Sequence, residues 1–214
     1  MKGIVKVLVD LIFPPLCPFC GSPLAEDDTG EICPGCLRNV RFISPPICPK
    51  CGLPFVSQSV EDHLCRQCLR KRWYFGSARA LGLYQGPLRE AIHGLKYEGK
   101  SFLANPLVGL LDRAYPFIDY GSYDILVPVP LHPRRLRERG FNQALILGRT
   151  MARREGVPCT GFVLRKTRSS APQIDLSPKE REKNVKGSFA VADPEKVRGK
   201  RVLLIDDVMT TVYP

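Results

Sequence analysis

Apolar positions recur along this chain with two periods, and the places where the period changes mark out its parts. Near the N-terminus Ile4, Val5, Leu8, Leu11 and Ile12 fall at helical spacing. This predicts a short amphipathic helix ended by Pro14-Pro15, because the first ring disfavours helical geometry at Phe13. A secretory signal is the rival reading of Met1 to Phe13, but Asp10 interrupts the apolar run and no small-x-small cleavage site precedes Cys17. The stretch from Gly3 to Pro15 also falls short of the roughly 20 apolar residues of a spanning helix. The expectation is a cytoplasmic protein with no membrane span.

From Trp73 onward the pattern is that of a second domain. Ala78 to Tyr84 predicts a strand, and Gly86-Pro87 opens a helix through Tyr97 with Leu88, Ile92 and Leu95 on one face. Leu103 to Tyr115 predicts another helix. Tyr123 to Pro130 is a continuous apolar strand of the kind buried on both faces of a parallel sheet, and Phe141 to Glu155 a helix. Phe162 to Leu164 and Ser188 to Val191 predict short strands, and Arg201 to Ile205 a strongly buried one. Strands alternating with helices imply an α/β fold whose ligands gather beyond the carboxyl ends of its strands.

Composition adds two constraints. With 18 Gly, 20 Pro and 44% hydrophobic residues in 214, the chain can fill a core and is not disordered throughout. Its 32 Lys+Arg against 21 Asp+Glu leave a formal charge of +11. Residues 1–72 contribute nine Lys/Arg and seven Asp/Glu, a nearly balanced surface from which a nucleic-acid footprint is not expected. The excess lies later: between His132 and Arg168 ten Lys/Arg face two Asp/Glu.

Residues 1–72 carry a different chemistry. Eight of nine cysteines form four Cys-x-x-Cys pairs, Cys17/Cys20, Cys33/Cys36, Cys48/Cys51 and Cys65/Cys68. Each pair makes a knuckle whose two sulfurs face one ion, and two knuckles complete a tetrahedral thiolate shell, so eight thiols imply two structural zincs. A disulfide framework is the alternative, disfavoured by the knuckle spacing and the missing export signal. The knuckles can be matched sequentially or crossed, and loop closure favours sequential ribbons. Cys-Pro-Phe-Cys-Gly and Cys-Pro-Lys-Cys-Gly place Gly21 and Gly52 where the chain turns back, which suggests an internal repeat. His63 reads as an exposed loop residue and Cys159 as a small core residue. Full zinc occupancy would lower the charge to about +7.

Three polar segments lie at strand ends. In the first, Asp206 and Asp207 leave a buried strand and Thr210 and Thr211 enter the next turn. Paired acids there can accept hydrogen bonds from ribose hydroxyls, while loop amides and hydroxyls bind a phosphate ester. The second segment, Pro128 to Gln143, reads as a basic loop. Its Arg134, Arg135, Arg137 and Arg139 suit pyrophosphate or a DNA backbone, and His132 is expected to be structural. The third, Lys166 to Val185, is a long polar stretch expected to form a lid, with a helix start at Ser177-Pro178.

The run Leu203 to Thr211 resembles the phosphoribosyl pyrophosphate signature of type I phosphoribosyltransferases. With the double ribbons, Tyr84-Gln-Gly-Pro-Leu-Arg-Glu, Leu95-Lys-Tyr, Val127-Pro-Val-Pro-Leu-His-Pro-Arg-Arg and Arg139-Gly-Phe-Asn-Gln-Ala, the chain resembles the ComF/GntX family almost end to end. The resemblance implies a small double zinc-ribbon domain (1–72) preceding a parallel-sheet phosphoribosyltransferase-like α/β domain (73–214). It assigns Asp206 and Asp207 to the ribose, where they stabilise a ribosyl cation, and Thr210 and Thr211 to the 5′-phosphate, with Mg²⁺ on the pyrophosphate. It also implies phosphoribosyl pyrophosphate, single-stranded DNA and a competence helicase or other DNA-uptake proteins as partners. Val212-Tyr213-Pro214 departs from the glycine, small residue and threonine the family places there. The expectation is therefore a C-terminally truncated domain with poor turnover. A non-catalytic DNA- or partner-binding module on the same fold is the alternative.

Overall fold

A computed structural model describes residues 14–24, 32–55, 61–116, 118–168 and 185–209. In chain order its elements are α1 (Pro34–Asn39), α2 (Arg66–Arg70), α3 (Gly86–Tyr97), α4 (Ala104–Ala114), β1 (Ile125–Pro128), α5 (Pro133–Arg139), α6 (Gln143–Glu155), β2 (Leu164–Lys166), β3 (Phe189–Val191) and β4 (Val202–Ile205). The helix expected before Pro14, most of the lid segment, and Thr210 and Thr211 fall outside the described residues.

The apolar run at residues 123–130 becomes the middle strand of the α/β half. β1 pairs in parallel with β4, Ile125 opposite Val202 through Pro128 opposite Ile205. On its other edge Leu126 N–H donates to the Pro158 carbonyl (2.8 Å) and the Leu126 carbonyl accepts from Thr160 N–H (3.1 Å), a parallel bridge. All four β1 residues are buried because alternate side chains enter two clusters. Leu126 faces Leu95 of α3, Leu107 of α4 and Leu147 and Met151 of α6, while Ile125 and Val127 meet Val163, Leu164 and Val197. β2 and β3 form a separate antiparallel pair, Leu164 opposite Val191.

Helix ends follow their caps. Pro87 sits in the first turn of α3, which spans the expected residues. α4 starts at Ala104 because Ser101–Leu103 wind as a 3-10 turn. α6 starts at Gln143 rather than Phe141: the Asn142 side chain accepts from Ala144 N–H and caps it, and Gly156 ends it in the left-handed conformation.

Four strand expectations change. The segment at 78–84 is no sheet strand; its one bridge pairs Gly82 with Phe42, with hydrogen bonds Ile43 N–H to Leu81 carbonyl (3.3 Å) and Leu83 N–H to Arg41 carbonyl (2.9 Å). Its partner is a short ribbon segment that runs into Pro45-Pro46, and prolines cannot donate to a ladder. The strand placed at 162–164 lies instead at 164–166, where it finds β3. The strand at 123–130 contracts to 125–128, the residues in register with β4. The strand at 201–205 is half-exposed, not strongly buried: Leu203 and Ile205 pack on the core while Val202 and Leu204 face outward, because alternate residues point to opposite faces and only one face of β4 is covered among the described residues. No helix among the described residues is long and apolar enough to cross a membrane.

Candidate functional site

The cysteines assemble sequentially into two sites, Cys17/Cys20/Cys33/Cys36 and Cys48/Cys51/Cys65/Cys68, the sulfurs of each lying within 4.8 Å of one another. A tetrahedron with zinc–sulfur bonds of about 2.3 Å has edges of about 3.8 Å, whereas a disulfide needs about 2 Å. The Cys20–Cys33 and Cys51–Cys65 sulfurs stand 3.6 and 3.7 Å apart, which fits the metal shell and excludes the disulfide. Backbone amides stabilise the thiolates, Cys33 N–H on Cys17 Sγ and Cys65 N–H on Cys48 Sγ, each at 3.4 Å. Burial drives the Cys36 and Cys51 thiols well above their ordinary range, while hydrogen bonds, those from Ser22 first, pull Cys20 down to about 6. A dication held by four sulfurs overcomes that inequality by displacing the protons. His63 lies exposed, stacked on Phe55 at 3.9 Å and outside the ligand set.

The second constellation forms at the carboxyl end of β4. Asp207 points inward with its side chain 4% exposed and meets Lys96, from the last turn of α3, at 3.0 Å through Oδ1. Its Oδ2 is buried with no hydrogen-bond partner among the described residues. Asp207 N–H donates to Asp206 Oδ1 (2.9 Å). Asp206 keeps an exposed edge, yet protein atoms crowd its carboxyl. That burial first, and repulsion from Asp207 next, raise its pKa to about 7. The charges of Asp206 and Arg135 both act on Lys166, which burial pulls below its ordinary pKa. β2 therefore brings a lysine toward the same strand end.

The arginines expected on a loop lie on a helix instead. Pro133 begins α5, His132 Nδ1 accepts from Arg134 N–H (3.2 Å) as its cap, and Gly140 closes it with φ of +81°. The four guanidinium groups do not share one partner. Arg134 binds Glu138 (2.9 Å), and Arg135 approaches the same carboxylate (3.9 Å). Arg139 lies over the Tyr97 ring, 5.1 Å from its centroid, and donates to Gln143 Oε1 (2.7 Å). Arg137 is exposed without an ion pair among the described residues.

Sequence reasoning named the acids and arginines but passed over Lys96, Tyr97 and Gln143 as functional residues. A cation and an aromatic ring side by side at the end of an amphipathic helix were the available signal. Asn142 completes the frame by donating to the Val129 carbonyl (3.0 Å), which ties the start of α6 to the end of β1. An open cleft of about 880 Å³ lined by Phe102, Arg149, Thr150, Arg153 and Cys159 lies elsewhere and holds no acidic group. Burial raises the Cys159 thiol there, as suits a packed side chain.

Proteins of known name are similar to this chain over most of its length. DNA utilization protein YhgH of Escherichia coli (strain K12) is 34% identical over 206 residues, covering 94% of this chain and 87% of that protein. This chain belongs to the ComF family. Competence protein F of Haemophilus influenzae is 29% identical (91% of this chain, 85% of that protein), and competence protein ComFC of Bacillus subtilis is 25% identical (92% and 72%). The double zinc ribbon domain family matches residues 8–69, which contain both cysteine sites of this ComF-family chain. No solved structure matches it.

Proposed function

We propose that this protein binds phosphoribosyl pyrophosphate with Mg²⁺ beyond the carboxyl ends of β1 and β4 and serves DNA handling in competence. The observation that carries the reading is the buried Asp207, held by Lys96 on one oxygen and open on the other, beside Asp206. A buried carboxylate oxygen without a partner is costly, and a ribose hydroxyl donating to it removes the cost. The hard oxygen donors of the pair also suit Mg²⁺, which supplies charge neutralisation at the pyrophosphate when bound. In this reading Asp206 and Asp207 hold the ribose and stabilise positive charge at its anomeric carbon, and Lys96 fixes the orientation of Asp207. Thr210 and Thr211 receive the 5′-phosphate, and Arg135, on the helix that follows β1 and near enough for its charge to act on Lys166, receives the pyrophosphate. The part in competence is supported by the relatives called competence protein F, ComFC and DNA utilization protein.

Isothermal titration of the zinc-loaded protein with phosphoribosyl pyrophosphate and Mg²⁺ tests this. Saturable binding is expected, weakened at least roughly tenfold in Asp207→Asn, because a charge-assisted hydrogen bond is lost. No binding by the parent protein, or equal binding by Asp207→Asn, refutes the assignment.

A further inference from the structure

The second ribbon exposes more aromatic surface than a purely structural knuckle requires. From Leu64 to Ala80 the chain holds five Lys/Arg (Arg66, Arg70, Lys71, Arg72, Arg79), all exposed, and no Asp or Glu. Three aromatic residues, Trp73, Tyr74 and Phe75, follow Arg72 directly. Tyr74 is 98% exposed, so its ring packs on nothing. Leu69, on the outer side of α2, is 70% exposed. Trp73 and Phe75 lie 5.4 Å apart, with Lys71 over the indole (4.7 Å) and Lys50 over Phe75 (5.4 Å). Arg66, Arg70 and Arg72 make no ion pair among the described residues.

We infer that this face, Arg66 to Phe75, is a stacking platform for single-stranded nucleic acid, with Tyr74 receiving a base and Arg70 and Arg72 following the phosphates. Exposed rings interleaved with cations are what an unpaired strand needs: every base offers a π face, and the backbone offers a charge at each step. Five cationic side chains outweigh the charge of about −2 on a thiolate-bound zinc, so the face stays positive. An acidic peptide would satisfy the arginines and leave Tyr74 unused. A duplex stacks its bases internally and would also leave Tyr74 unused. The platform deepens the DNA-handling part of the reading above and is independent of the acid pair. The near balance of charge over residues 1–72 hid it, because five of those seven acids (Asp10, Glu26, Asp27, Asp28, Glu31) precede the second ribbon.

Trp73 is the single tryptophan of the chain and therefore a built-in reporter. Titration of zinc-loaded protein with a short oligothymidylate should quench its emission, with affinity falling as salt rises. Tyr74→Ala removes a fully exposed ring, so the fold and the two zincs should persist while affinity falls at least roughly fivefold. Arg70→Gln with Arg72→Gln should flatten the salt dependence, and Arg113→Gln, at an exposed position in the last turn of α4, should leave binding unchanged. The inference is overturned if oligothymidylate does not bind, if Tyr74→Ala binds it as the parent does, or if polyglutamate or duplex DNA binds equally well. Phosphoribosyl pyrophosphate binding separates the two readings: Tyr74→Ala should retain it, whereas Asp207→Asn should lose it and keep the oligothymidylate.

Discussion

The two ribbons are built alike and used differently. Each opens with a knuckle closed by an isolated bridge, Leu16 to Pro23 and Ile47 to Pro54, and each follows its third cysteine with a short helix, α1 after Cys33 and α2 after Cys65. Even the turn bonds match, Gly21 N–H to Cys17 carbonyl and Gly52 N–H to Cys48 carbonyl, both 2.8 Å. The surroundings then diverge. The first ribbon's apolar cluster of Cys17, Ile32, Cys36 and Val40 includes Leu110 of α4, with Phe42 and Leu81 packed on it, so this ribbon is a wall of the α/β core. The second ribbon's buried cluster is Cys48, Cys51 and Cys65, flanked by Leu53, Phe55 and Phe75, and α2 buries no residue. One metal framework thus serves as a core component in one copy and as the chief support of an exposed platform in the other. So small an apolar cluster cannot offset chain entropy without the ion.

The sharpest break of this comparison is metal loss at one site. A structural zinc site contributes roughly 10 kcal/mol or more in small domains. Cys51→Ser should leave one zinc per chain by elemental analysis and abolish amide protection in α2, with α3, β1 and α6 still protected. Cys17→Ser should also leave one zinc, but lower the melting temperature of the whole chain because it opens the wall against α4. Equal effects of the two substitutions on α3 and α6 would erase the distinction.

Next in size is Leu110→Ala. This side chain is 2% exposed, and its removal should cost about 2–5 kcal/mol in chemical denaturation while both zincs remain bound. A cost below about 1 kcal/mol would show that α4 does not rest on the first ribbon.

The matched glycines give a finer comparison. Gly21 and Gly52 both have φ near +75° (+76° and +73°), yet an added Cβ at Gly21 meets nothing within 4 Å, whereas at Gly52 it comes within 2.7 Å of the Ala78 carbonyl oxygen. Gly21→Ala should lose about 1 kcal/mol from the left-handed backbone alone. Gly52→Ala should lose more, because backbone must move, and zinc affinity measured by competition with a chelator should fall chiefly at the second site.

The smallest expected effect concerns pH. Asp206 is raised to about 7 by burial and then by Asp207, so the folded protein holds a proton that the unfolded chain releases in the ordinary carboxylate range. Stability contributed there is present at low pH and is lost as pH rises toward 7. Asp206→Asn should therefore melt higher than the parent at about pH 8 and equally at about pH 4, with the second ribbon's zinc unchanged. A difference that grows toward acid would mean Asp206 is stabilised as the carboxylate.

By itself the sequence determined what local chemistry dictates. Cys-x-x-Cys spacing specified both metal sites, since two intervening residues confine a pair of sulfurs to one ion, and short loops made the sequential match the cheaper closure. Helical spacing of Leu88, Ile92 and Leu95 placed α3, and the apolar run at 123–130 announced a strand buried on both faces, which the fold contracts to 125–128. Tertiary structure alone decided the rest. Asp207 points inward because Lys96, more than a hundred residues earlier in the chain, reaches it from α3. Arg139 is taken up by Tyr97 and Gln143, the one on α3 and the other on α6. Residues 78–84 pair with a ribbon and not with the sheet. Charge balance over residues 1–72 averaged an acidic beginning with a basic end, and the fold leaves Arg66, Arg70, Lys71, Arg72 and Tyr74 exposed. Periodicity and spacing act between neighbours in sequence, whereas partner choice and exposure follow from which surfaces the folded chain brings together.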